Sequence, residues 1–156
     1  MNQEQTMKRY KVLLVGDTKV GKTTYVNYLL TNKFTEEHSP TLGVEVYPYV
    51  FNTNYGPIIF EFWDCAGEYK YRGIDTGYYI CANGAIIMYT SEYNNCVELE
   101  NKVRSVCNDI PIIFCKNKSD TDDINININV MNKMNINKPI LLLARQLTGH
   151  DNLDIL

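Results

Sequence analysis

One tryptophan, two histidines and five scattered cysteines leave this 156-residue chain little from which to build a zinc site or a disulfide framework. The cysteines (Cys65, Cys81, Cys96, Cys107 and Cys115) are odd in number and show no metal-type spacing, which fits the reduced thiols of an intracellular protein. An excess of one charge is also lacking. With 15 Lys and Arg against 18 Asp and Glu, the net charge of −3 sets up no field that gathers nucleic acid or anionic lipid. No run approaches the roughly 18 apolar residues that span a bilayer, and the stretch Met1-Asn2-Gln3-Glu4-Gln5 has no apolar segment of signal-peptide type. Gly does not follow Met1 and no cysteine follows Cys115, so neither myristoylation nor a prenylation tail is expected. These absences lead to the expectation of a soluble, unanchored, intracellular monomer with one domain over 1–156 and a disordered leader over 1–8. Apolar material is plentiful, because 45% hydrophobic residues suffice for a buried core.

Three short motifs stand out, each after an apolar segment. The first, Gly16-Asp17-Thr18-Lys19-Val20-Gly21-Lys22-Thr23, follows Tyr10 to Val15 and opens a predicted helix. In that setting glycines let the backbone curl until successive N–H groups point inward at phosphate, Lys22 reaches the outer phosphates and Thr23 holds magnesium. The second, Asp64-Cys65-Ala66-Gly67, follows a predicted strand ending at Trp63. An Asp there holds magnesium through water, and Gly67 offers its N–H to a γ-phosphate. The third, Asn117-Lys118-Ser119-Asp120, follows the apolar run ending at Cys115. A carboxylate such as that of Asp120 accepts two hydrogen bonds from guanine, from N1–H and the exocyclic amine, and adenine offers no such pair. Charge-assisted bonds of about 1.5–3 kcal/mol each set that preference. The first motif by itself favours a phosphate cradle, whereas the second alone reads as a turn and the third alone as a polar loop; three in order, each at a strand's carboxyl end, point to a guanine-nucleotide site.

Hydropathy patterning supplies the frame. Lys11 to Val15 reads as a buried strand and Lys22 to Leu30 as a helix. Val44 to Phe51 and Ile58 to Trp63 flank Asn52-Thr53-Asn54-Tyr55-Gly56-Pro57 and read as an antiparallel hairpin, with Pro48 placing the first strand at the sheet edge. Gly84 to Tyr89 and Ile110 to Cys115 are continuous apolar runs of the kind parallel strands show when covered on both faces, and Glu92 to Cys107 is long enough for the crossover helix. A last short helix is expected over Ile140 to Leu147, stopped by Gly149. The expected fold is α/β, a doubly wound, mostly parallel sheet with one antiparallel edge.

With these motifs the chain resembles the Ras-like small GTPases of the P-loop NTPase class, and among them is most similar to the Ran group that serves nucleocytoplasmic transport. The finer likeness lies in Thr41-Leu42-Gly43-Val44-Glu45-Val46, Thr53 to Ile58, Gly77-Tyr78-Tyr79-Ile80, Ala85 to Met88 and Leu143 to Leu147. The resemblance implies a GTP/GDP switch with magnesium, slow hydrolysis, protein effectors, exchange and activating proteins, transport receptors as partners, and residence in nucleus and cytoplasm. Carried over by position, the nucleotide site comprises Asp17, Thr18, Lys19, Val20, Gly21, Lys22, Thr23, Thr24, Phe34, Thr41, Gly67, Asn117, Lys118 and Asp120. Thr23, Thr41 and Asp64 form the metal set. Glu68, Lys22 and Thr41 would carry catalysis, and Phe34 would stand against the guanine. Cys65 to Thr76 forms the second switch, with Tyr69, Tyr71 and Tyr78 in or beside it as partner-facing aromatics. His38 stands where a lid aromatic is common, and His150 reads as an exposed loop residue.

Four departures accompany the resemblance. Glu68 replaces the glutamine that orients the attacking water, and Thr18 and Lys19 add bulk and charge beside the phosphates. Between Asp120 and Lys138-Pro139 the chain is too short for the last core strand and the Ser-Ala-Lys turn that closes over guanine, so both are expected to be missing. A basic stretch and an acidic tail of Ran type are absent. The segment Ile124 to Val130 alternates with period two and so reads by pattern as a strand with one buried face; by alignment it falls where a helix begins, and its composition equally suits a surface loop. A rival function follows: a degenerate interaction protein that keeps the partner-facing surface, binds nucleotide weakly and competes for transport factors.

Overall fold

The computed structural model describes residues 7–34, 43–65, 75–118 and 126–156. These form the strands β1 (Lys8–Val15), β2 (Val44–Thr53), β3 (Gly56–Cys65), β4 (Gly84–Tyr89), β5 (Ile112–Lys116) and β6 (Ile126–Asn127), with the helices α1 (Lys22–Thr31), α2 (Cys96–Cys107) and α3 (Lys138–Thr148) and a 3-10 segment over Asp75–Tyr79. The sheet order is β2-β3-β1-β4-β5-β6, and every pairing is parallel except the hairpin β2–β3. This is the expected doubly wound α/β arrangement, with β2 and Pro48 at the edge.

The apolar runs are explained by burial on both faces. Val12, Leu14, Ile86 and Met88 face a core shared with Tyr25 and Val26 of α1 and Ile140 and Leu143 of α3. The intervening Leu13, Val15, Ala85 and Ile87 face a second core under Leu99 and Val103 of α2. Successive strand residues point to opposite faces, so a central strand covered twice shows no polar position. The hydroxyl of Tyr25, fully buried, donates to the carbonyl of Ile136 at 2.8 Å and so ties α1 to the segment leading into α3.

Several boundaries differ from expectation. β1 begins at Lys8, which pairs with Ile58, so that residue belongs to the sheet and not to a disordered leader. α2 begins at Cys96 and not Glu92, because Thr90 and Tyr93 close a turn through both the Thr90 N–H and the Thr90 hydroxyl. Where the last core strand was expected to be missing, a two-residue strand takes its place: Cys115 pairs with Ile126 and Lys116 with Asn127. A strand this short sits at the sheet edge, so the connection of nine residues from 117 to 125 serves where a full crossover needs about a dozen. The alternation of Ile and Asn does not mark one buried face, because Asn127, Ile128, Asn129 and Val130 are all buried. The asparagines are turn formers instead: Asn129 Oδ1 accepts from Asn132 N at 3.1 Å, Asn129 and Met134 exchange backbone bonds, and Asn135 Nδ2 donates to Asn127 O.

Beyond α3, Gly149 adopts the left-handed cap and the tail turns back to the hairpin. Arg145 donates from Nε to Leu153 O at 2.8 Å and from Nη2 to Asp154 Oδ1 at 3.0 Å. The tail then pairs with the end of β2 through an antiparallel bridge of Ile155 with Thr53, with Leu156 N donating to Asn52 O at 2.9 Å. His150 is not exposed as expected; it is half-buried and stacks on Tyr55 at the hairpin tip, with ring centroids 4.0 Å apart.

Candidate functional site

Parallel order places the carboxyl ends of β3, β1 and β5 on one edge of the sheet, with β4 between β1 and β5, and the three motifs begin there. The loop from Gly16 to Gly21 is tight because two of its residues have no side chain. A Cβ on Gly16 would stand 2.4 Å from the carbonyl oxygen of Met88, and one on Gly21 would stand 2.7 Å from Asn117 Nδ2. Gly21 also carries a φ of 91°, left-handed backbone that L side chains resist, and from it the first helical N–H groups of α1 open.

Lys22 is buried, with 5% of its surface exposed, and Nζ donates to the carbonyls of Gly16 at 2.7 Å and Asp17 at 2.8 Å. Burial pulls its pKa down, and the carboxylates of Asp64 and Asp17 oppose that shift. An ammonium has three donors, so one stays available beyond the two carbonyls. Thr23 Oγ1 donates to Asp64 Oδ2 at 2.5 Å, which joins the first motif to the second across the sheet. A hydroxyl and a carboxylate side by side suit magnesium, a hard cation held by few protein oxygens and several from phosphate and water. Among the described residues no group of three or more His, Cys, Asp or Glu is arranged to hold a metal unaided.

The third motif meets the first directly. Asn117 is buried; its N–H donates to Tyr89 O and its Nδ2 to Val20 O, both at 2.8 Å. Lys118 has a φ of 56°, and this left-handed turn sends its Nζ across to Lys19 O at 2.8 Å and its backbone N–H to Asn117 Oδ1 at 2.8 Å. Two carbonyls of the phosphate loop are thereby bound from outside, while Val20 N–H donates to Asp17 O within the loop at 3.3 Å. Asp17 Oδ1 accepts from Thr18 Oγ1 at 3.2 Å and Lys19 N at 3.3 Å, so the polar bulk at 17–19 bonds within the loop. The ammonium of Lys19 lies 5.7 Å from the ring centre of Tyr93, a contact the linear pattern did not reveal.

The remaining candidates divide. Thr24 is half-buried in the first turn of α1, and Phe34 is exposed beyond its end, 37% accessible. Thr41, Gly67, Glu68 and Asp120, and with them His38, Tyr69 and Tyr71, lie outside the described residues. The segment missed by motif reading is Ile128 to Met134. Ile128 N donates to Lys116 O at 2.8 Å, so the turn follows directly on the pairing with the end of β5. A separate cavity of about 750 Å³ opens between the end of α1 and residues 133–141, and no motif residue lines it.

A glycine-curled loop, a buried lysine and a Thr–Asp pair at the carboxyl ends of a parallel sheet define a P-loop nucleotide-binding protein. Residues 11–120 match the family described as Roc, Ras of Complex, Roc, domain of DAPkinase. The match covers more than half of the chain, which therefore belongs to the Roc family of Ras-like GTPase domains, the GTP-binding switch proteins. That extent takes in all three motifs and ends at Asp120.

Proposed function

We propose that the chain is a magnesium-dependent guanine-nucleotide switch that hydrolyses GTP slowly. The observation that supports this reading is the pair of bonds from Asn117 to Val20 O and from Lys118 to Lys19 O, since it ties the first two residues of the third motif to the phosphate cradle. In this reading Lys22 keeps two N–H groups on the loop carbonyls and gives the third to the outer phosphates. Thr23 and Thr41 hold magnesium directly and Asp64 through water; Gly67 reports the γ-phosphate, Phe34 stacks on the base and Asp120 reads it. Magnesium, when bound, supplies the charge neutralisation on which phosphoryl transfer depends. The turn from Asn129 to Met134 takes the place of the missing Ser-Ala-Lys turn, a reading supported by the bond of Ile128 N to Lys116 O just before it.

The finer likeness to Ran, strongest in 41–46, 53–58 and 77–80, supports partners reached through the first switch, the hairpin and the second switch, transport receptors among them, in nucleus and cytoplasm. Nucleotide extraction from the natively purified protein, followed by competition binding, tests the reading. We expect bound GDP or GTP that ATP does not displace, and an Asp120→Ala variant that loses the preference. A protein that arrives empty, binds neither guanine nucleotide with magnesium and still captures transport receptors is the rival interaction protein, and the switch reading fails.

A further inference from the structure

Away from the phosphate loop, two thiols and a lysine converge on one tight turn. The turn from Tyr79 to Ala82 closes as Ala82 N donates to Tyr79 O at 3.2 Å, and Cys81 occupies its third position with a φ of 62°. That is left-handed backbone, where glycine or asparagine is favoured and cysteine is strained. Lys11 holds the turn in place from the neighbouring strand. Its Nζ donates to Ile80 O at 2.7 Å, its backbone N–H to Asn83 Oδ1 at 2.8 Å, and it accepts from Asn83 N at 2.8 Å. Cys107, the last residue of α2, brings its thiol to the same turn: Sγ donates to Tyr79 O at 3.1 Å. Cys81 is exposed, Cys107 is half-buried and both are free thiols.

We propose that Cys81 and Cys107 form an oxidisable dithiol site whose reactants are low-molecular-weight disulfides, Cys81 attacking and Cys107 resolving. The thiolate of Cys81 attacks one sulfur of the small disulfide, forming a mixed disulfide and releasing one small thiolate. Cys107, deprotonated, then attacks Cys81 Sγ; an intrachain S–S bond forms and the second small thiol leaves. Two protein thiols are oxidised, one small disulfide is reduced, and the two protons end on the released thiols. Exposure separates the roles, since a reagent meets Cys81 from solvent while Cys107 is reached most easily from within the turn. Burial raises the Cys107 pKa, and the ammonium of Lys11 opposes that rise. Cys115 is buried, and Cys96 starts α2 at its other end.

Incubating the whole chain with oxidised glutathione, alkylating the remaining thiols and mapping peptides by mass spectrometry tests the proposal. The expected main product is a Cys81–Cys107 cross-linked peptide, with Cys96 and Cys115 alkylated only after unfolding or at the unmodified rate. Cys107→Ser should trap a stable glutathione adduct on Cys81, and continued protection of Cys115 in that variant reports that it is folded. A persistent adduct on Cys81 in the unaltered chain overturns the proposal, as does a failure of both cysteines to react.

Discussion

Replacing Gly21 by alanine tests the joint between the first and third motifs more sharply than removing a catalytic group. The new Cβ would stand 2.7 Å from Asn117 Nδ2, on backbone with a φ of 91°. Left-handed backbone costs an alanine about 1–2 kcal/mol. Displacing Asn117 forfeits its bond to Val20 O and leaves that carbonyl without its partner, about 1–3 kcal/mol more. We expect Gly21→Ala to lose about 3 kcal/mol of stability in all. Asn117→Ala loses the same bond and the one from Lys118 N, again about 2–4 kcal/mol. The two losses do not add, because the second substitution removes the atom with which the first collides; alanine at 21 should then cost only its backbone strain. A double-mutant cycle should accordingly show a coupling of about 1–2 kcal/mol. Urea unfolding followed by the fluorescence of Trp63, the single tryptophan, measures it, provided that the slopes agree among variants. Additivity within about 0.5 kcal/mol would falsify the claim that these groups meet.

Three further outcomes are expected. Thr23→Ala tests the proposed magnesium role by removing a hydroxyl bonded to Asp64: GDP affinity should fall about tenfold or more in magnesium yet change little in EDTA, and equal loss in both would refute a metal role. Tyr25→Phe leaves the Ile136 carbonyl unpaired in the core, and urea unfolding should show a loss of about 1–3 kcal/mol with guanine preference intact; an unchanged midpoint would count against that bond. Glu68→Gln tests the proposed water-orienting role: if that carboxylate came within about 5 Å of phosphate, at an effective dielectric near 20 the repulsion would be worth about 3 kcal/mol, so single-turnover hydrolysis stimulated by an activating protein should be poor in the natural chain and improve with glutamine. Strong stimulation that glutamine leaves unchanged would show the charge to be harmless.

Much of the fold was legible because its central strands are buried twice. Val12 to Val15 and Gly84 to Met88 have no solvent face, so uninterrupted hydrophobicity identifies them with almost no help from context. The edge of the sheet was harder. Ile126 and Asn127 pair over two residues only, and the asparagines that look like a solvent face lie inward, held by backbone bonds between Asn129 and Met134 and by the Asn135 side chain on Asn127 O. The site divides along the same line. Lys22, Thr23 and Asp64 follow from spacing within short motifs, whereas the bonds from Asn117 and Lys118 to the loop depend on strand order bringing residues almost 100 positions apart into contact. No local pattern encodes such a meeting, nor the approach of Lys19 to Tyr93 or of His150 to Tyr55.

The chain's return to β2 bears on how the protein survives at high concentration. Leu156 donates to the outward carbonyl of Asn52, so the even-numbered residues of β2, from Val44 to Asn52, turn their peptide groups away from β3. Such a row is a template on which another molecule's strand can grow. Here one end of the template is already taken by the chain itself, and Pro48 at its midpoint has no N–H to offer. An incoming strand can therefore gain only broken runs of bonds around Val46 and Val50, whose side chains are exposed. Sheet-to-sheet polymerisation is thus suppressed at the flank where this architecture is most open to it, and Pro48→Val together with removal of residues 152–156 should expose that hazard as fibril formation.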